Sequence, residues 1–128
     1  MTASPLQHAL QLLQRQSFDQ AAALCQQVLK ANPKDFNAQH LLGVIQMQSG
    51  NLDEACASLK VASQMSVASR YKAQALSNLS LALKQNDALG DALIAVEQAI
   101  TLLPDELAFR VNRLNILELE QQWDLIVK

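Results

Sequence analysis

The chain has 128 residues, half of them hydrophobic, which is the size and composition of one globular domain with a continuous core. Ten Lys and Arg stand against 12 Asp and Glu, a formal net charge of −2, so there is no basic surplus to neutralise a phosphate backbone and nucleic acid is not an expected partner. The start Met1-Thr-Ala-Ser-Pro5 lacks the basic flank and apolar run of a secretory signal, and no stretch approaches the ~18 apolar residues of a membrane span, so the expectation is a cytoplasmic chain with no membrane partner.

Ala, Leu and Gln dominate, with three Gly, three Pro and 4% aromatic residues, a balance that favours helix over sheet. In chain order the apolar spacing predicts helices at about 5–16, 19–31, 36–49, 52–65, 70–86, 89–102 and 106–121. Ser4 before Pro5 is the first start signal, an N-cap followed by proline in the first turn. Pro33 and Pro104 each close one helix pair and open the next, since proline cannot continue a helix.

An internal period runs through these elements. Phe18-Asp-Gln-Ala21 recurs 34 residues later as Leu52-Asp-Glu-Ala55, and 37 residues after that as Leu89-Gly-Asp-Ala92. The same offsets carry Ala9 to Gly43 to Ser80, Cys25 to Leu59 to Val96, and Val28 to Ala62 to Ala99. A further step of 34 takes Leu89 to Trp123, followed by Asp124 as Leu52 is followed by Asp53.

A 34-residue helix-turn-helix period with these residue types resembles the tetratricopeptide repeat. Leu42-Gly43, Gly50-Asn-Leu-Asp-Glu-Ala55, Leu59 and Ala62 carry the resemblance most closely, and it extends over essentially the whole chain. It implies an all-α fold, a right-handed superhelical array of antiparallel helix pairs with about seven helices. The units would span about 2–35, 36–69 and 73–106, with a partial unit at about 107–128, all in one domain.

In such pairs the small residues Ala9, Gly43 and Ser80 would face Ala21, Ala55 and Ala92 across each pair. Phe18, Leu52 and Leu89 would plug the bend, while Cys25, Leu59 and Val96 would fill the seam with the following unit. Several positions depart from the pattern. Val67 stands where a proline would close the second unit, and Arg70-Tyr-Lys72 lie three residues beyond the period, so the third unit's first helix should start early and run long. Gln16 and Asp87 replace the turn glycine that Gly50 supplies, at some strain. Trp123-Asp-Leu-Ile-Val-Lys128 reads as the start of an eighth helix; a longer parent chain, a capping role for 107–121 or a second copy would each complete it.

Candidate chemistry is sparse. His8 and His40 have no i, i+4 ligand partner, so no metal site is expected; His8 should be partly buried. Cys25 and Cys56 read as reduced thiols within the helical pattern. No phosphate loop, nucleophile elbow or nucleophile with an evident base occurs, and Asp53-Glu54 and Asp105-Glu106 suit the positive ends of helices better than a catalytic pair. No catalytic residue, cofactor or enzymatic activity is therefore expected.

The resemblance further implies that first helices line a concave groove that binds a protein or peptide. Family spacing places Leu6, Leu10, Asn37, His40, Leu41, Val44, Met47, Gln74, Asn78, Leu81, Lys84 and Asn112 on that face. The positions of the basic clamp found in some members carry Leu6, Leu10, Leu41, Gln74 and Asn78, so a chaperone-tail receptor is disfavoured and binding should depend little on salt. Leu10, Leu41, Val44 and Leu81 would anchor a peptide, unless they are simply core; Gln74 and Asn78 would orient it. Asn78 and Asn112 look like the asparagine ladder of the array in O-linked N-acetylglucosamine transferases, interrupted by Leu41, although solvated amides would read the same.

Two other readings differ in class. Asn37-Ala-Gln-His-Leu-Leu-Gly43 is similar to segments of arrays that precede glycosyltransferase or sulfotransferase domains, which implies the targeting array of a larger bacterial enzyme. Self-association through the open C-terminal end would use Leu114, Leu117 and Trp123.

Overall fold

The computed structural model describes residues 4–127, with side chains through Asp124, and these residues contain seven helices and no strand. The helices gather into two compact units, Met1–Met65 and Ser66–Lys128. Unit 1 holds α1 (Pro5–Gln14), α2 (Phe18–Ala31), α3 (Phe36–Gln48) and α4 (Leu52–Ser63). Unit 2 holds α5 (Ser69–Gln85), α6 (Leu89–Leu102) and α7 (Leu107–Val127).

The first helix starts as its sequence directs. Ser4 Oγ accepts from the Gln7 backbone N–H and Gln7 Oε1 accepts from that of Ser4, a reciprocal capping box with Pro5 in the first helical position. Two of the N–H groups orphaned at a helix start are thereby satisfied.

Three corners then repeat one piece of backbone chemistry. Gln16, Gly50 and Asp87 all sit in the left-handed region, with φ of 61°, 88° and 62°. The residue after each donates its N–H back to a carbonyl five residues earlier: Ser17 to Leu12, Asn51 to Gln46 and Ala88 to Leu83. Gln16, Gly50 and Asp87 donate to Leu13, Met47 and Lys84, completing the double hydrogen bond of a Schellman ending. The carbonyls of Ser17, Asn51 and Ala88 next accept from Ala21, Ala55 and Ala92, so one residue both finishes one helix and begins its antiparallel partner. Only glycine adopts this conformation without a Cβ penalty, so the corners at Gln16 and Asp87 are strained as expected.

Within unit 1, Ala9, Ala21, Cys25, Leu42 and Ile45 form the buried cluster, with Leu6, Phe18 and Leu41 packed on it. A Cβ placed on Gly43 would lie 2.5 Å from Leu59 Cγ, so the hydrogen at Gly43 is what lets α4 close on α3. Leu59, one turn after Ala55 on α4, is thus a close neighbour of Gly43. Behind it, Ser58 Oγ donates to the buried Gln46 Oε1 at 2.6 Å, and Gln39 Nε2 donates to the Ser58 carbonyl.

Unit 2 is built on Ala73, Leu76, Ala92, Val96, Ala99, Phe109 and Ile116. Removing these side chains from water stabilises the fold by about 25 cal/mol per Å² of apolar surface, the main term favouring assembly of the helices. As expected, α5 starts early and runs for 17 residues. The end of the chain differs from the repeat alignment. α7 passes through Trp123 without a turn, giving one helix of 21 residues where an eighth was expected to begin. No glycine, proline or left-handed residue interrupts it, so nothing turns the backbone back.

Candidate functional site

In unit 1, residues recurring every three or four positions bring Asn37, His40, Leu41, Val44 and Met47 to one side of α3, and Leu6 and Leu10 lie one turn apart on α1, which contacts α3. Leu6, His40, Leu41, Val44 and Met47 are half-buried, Asn37 is exposed, and Leu10 keeps 47% of its surface in solvent. This is an apolar face with a polar edge. The His40 ring lies 5.3 Å from that of Phe36, tilted by 45°, and burial pushes its pKa below the ordinary histidine value. His40 therefore contributes a neutral ring at pH 7.

In unit 2 the chemistry is different. On α5, Gln74 is exposed, while Asn78, Leu81 and Lys84 are half-buried. Asn112 of α7 is only 8% exposed and is engaged at both ends of its amide. Its Nδ2 donates to Ser80 Oγ at 3.2 Å, and its Oδ1 accepts from Lys84 Nζ at 3.2 Å. Ser80 Oγ in turn donates to the Ala92 carbonyl at 2.7 Å, and Lys84 Nζ also donates to Asn115 Oδ1 at 3.0 Å. The expected ladder amide is thus an interior strut joining α7 to α5, because a buried amide must find partners inside the fold.

The remaining candidates are soon placed. His8 is exposed rather than partly buried. Cys25 is fully buried, and burial with the nearby Asp35 carboxylate raises its thiol pKa to about 11; Cys56 is half-buried and also raised, by burial and by Asp53. Both thiols are poor nucleophiles at neutral pH. Asp53 and Glu54 occupy the first turn of α4, where the helix dipole favours them, whereas Asp105 and Glu106 precede α7. Among the described residues no group of three His, Cys, Asp or Glu could hold a metal, and no helix is long and apolar enough to cross a membrane. On α7, Leu114 and Trp123 are exposed and Leu117 is half-buried. The Ser80–Asn112–Lys84 relay was not visible in the sequence, since Asn112 lies 28 and 32 residues from its partners and no motif links the three.

The profile of the tetratricopeptide repeat matches residues 12–95, more than half of the chain, over helix pairs that turn on three equivalent corners. The chain belongs to the tetratricopeptide repeat family. It is all-α, and its helix pairs are those of a tetratricopeptide solenoid.

Solved tetratricopeptide structures share this fold. A crystal structure of MamA is 24% identical and superimposes with a TM-score of 0.78 over 91% of this chain, which spans 66% of that one, just under two thirds. The first TPR of Spaghetti (RPAP3), bound to the HSP90 peptide SRMEEVD, is 14% identical with a TM-score of 0.82, covering 91% of this chain and 90% of its own. The type III secretion chaperone SycD of Yersinia enterocolitica, in complex with a peptide of the translocator YopD, is 16% identical with a TM-score of 0.76, covering 97% and 92%. No curated protein matches the chain.

Proposed function

We propose that this tetratricopeptide array is a protein-interaction module whose first helices take up a peptide segment of a partner protein, and that it works by binding, not by catalysis. The observation that carries the reading is the half-buried apolar side of α1 and α3 in unit 1. Leu6, Leu10, Leu41, Val44 and Met47 lie there beside Asn37, with little formal charge to repel or select by sign. Contiguous apolar surface with a polar edge on a soluble scaffold is typical of a partner site. The structural likeness to RPAP3 and SycD, both solved with peptides, supports the same use here.

In this reading Leu41 and Val44 take the apolar side chains of the partner, and the amide of Asn37 holds its backbone. Amides offer donors and acceptors together and so tolerate many sequences.

Val44→Glu tests the proposal, because it puts a charge on the apolar side without touching the Gly43 contact. Affinity for partners captured by the unmodified chain should fall by more than tenfold, by fluorescence anisotropy, while the helical circular dichroism stays unchanged. Partners that bind the variant equally well would move the site to the second helices.

A further inference from the structure

The side of α7 that builds the core of unit 2 continues past the core itself. Phe109, Ile116 and Trp123 recur every seven residues and so share one side of the helix. Phe109 and Ile116 are buried, whereas Trp123 keeps 60% of its surface in solvent. It lines a cleft of about 570 Å³, together with Glu120 and Asp124 of the same helix and Asp87, Leu89 and Gly90 of the α5–α6 corner.

A cleft beside a corner is not unusual in this fold. In unit 1 one of about 520 Å³ is lined by Gln16, Ser17, Gln20, Ser49 and Asn51, with Asp19 as its one carboxylate. What sets unit 2 apart is a lining that does little for the fold. Gly90 stands in the first turn of α6, where the repeat has Asp19 and Asp53. Nothing lies within 4 Å of a Cβ added there, so packing does not require a glycine that weakens the helix. Glu120 and Asp124 are like charges four residues apart on one helix, an arrangement that opposes it.

The three carboxylates of the cleft also find no counter-charge within the chain: among the described residues the salt bridge that forms joins Arg113 to Glu97. Nor, among those residues, do they form a group that could hold a metal ion. The complementary occupant is therefore an extended organic cation with an apolar stem. A guanidinium suits it best. It is planar, stacks on an indole, and carries five donors spread widely enough to reach separate carboxylates, whereas an ammonium is a compact point charge.

We propose that this cleft takes an arginine side chain of a partner protein, its guanidinium against Trp123 and among Asp87, Glu120 and Asp124, its stem along Leu89. The site lies wholly within unit 2. It uses none of the residues on which the peptide-binding reading of unit 1 rests and does not depend on it.

Trp123 is the one tryptophan of the chain, so its fluorescence reports on the cleft without a label. The test is a titration of the full chain with a blocked Gly-Arg-Gly tripeptide at constant ionic strength, beside the lysine peptide and the neutral citrulline peptide. The arginine peptide should give a saturable change, at least about fivefold tighter than the lysine peptide, and the citrulline peptide none. Glu120→Gln combined with Asp124→Asn should weaken the arginine peptide roughly tenfold with helical circular dichroism unchanged; Asp87→Asn takes its place if the double variant loses helix content. Gly90→Leu, which puts a side chain at the edge of the cleft, should weaken it as well. Val44→Glu should bind the arginine peptide as the unmodified chain does, so a failure here leaves the reading of unit 1 standing, and the reverse. No saturable response, equal responses to the arginine and citrulline peptides, no preference over lysine, or an affinity indifferent to the loss of the carboxylates would each overturn the proposal.

Discussion

At the crossing of first and second helices, unit 1 has Gly43 under Leu59, whereas unit 2 has Ser80 hydrogen-bonded to the Ala92 carbonyl and to Asn112. The two positions are 37 residues apart and equivalent in the repeat. In unit 1 the requirement is absence of atoms, since even one carbon at Gly43 would overlap Leu59. In unit 2 a hydroxyl is accommodated, and its polarity then commits Asn112 and Lys84 to particular orientations. A small residue at this point is therefore a rule about volume in one repeat and the root of a polar relay in the other.

Two substitutions would break or sharpen that contrast. The largest effect is expected from Gly43→Val, which cannot fit without displacing Leu59 Cγ and pressing on the Leu59 backbone nitrogen. Overpacking of this kind should cost about 2–3 kcal/mol, with faster hydrogen exchange in α3 and α4; chemical denaturation unchanged from the parent would show that α4 yields easily. Ser80→Ala keeps the volume small but leaves the buried Asn112 NH2 without its acceptor. A loss of about 1–2 kcal/mol is expected, together with altered Asn112 and Asn115 side-chain amide signals by NMR; a neutral result would mean that water replaces the hydroxyl.

The smallest effects concern the corners, where the two units are alike in geometry and unlike in residue. Gln16→Gly should stabilise by about 1 kcal/mol and Asp87→Gly by less, because aspartate tolerates the left-handed conformation better than glutamine. Gly50→Ala should destabilise by about 1 kcal/mol, although nothing lies within 4 Å of the added carbon, so the cost is purely that of backbone conformation. Melting curves of the three variants would settle the order, and an Asp87→Gly gain larger than that of Gln16→Gly would contradict it.

Much of the fold was legible because it depends on local periodicity. The offsets of 34 and 37 locate the corners, and Gln16 and Asp87 stand in the repeat where Gly50 does, all three with positive φ. The late break at Arg70 announced the long α5. At the end of α7, Trp123 and Asp124 match the motif in type, but no residue before them turns the chain back and the helix runs on. The faces were harder to read. Spacing groups Leu41, Val44 and Met47, all half-buried, yet it does not tell an amide at the surface from one drawn inward, as Asn112 is.

By itself, then, the sequence determined helix order, the corners and the near absence of charge on the first-helix side of unit 1, since each follows from residues close together along the chain. The tertiary structure alone decided that Leu59 closes on Gly43, that Asn112 turns inward and that Lys84 is held by two asparagines. Those outcomes depend on side chains brought together from separate helices, where packing density and the need to satisfy buried polar groups override position in the repeat.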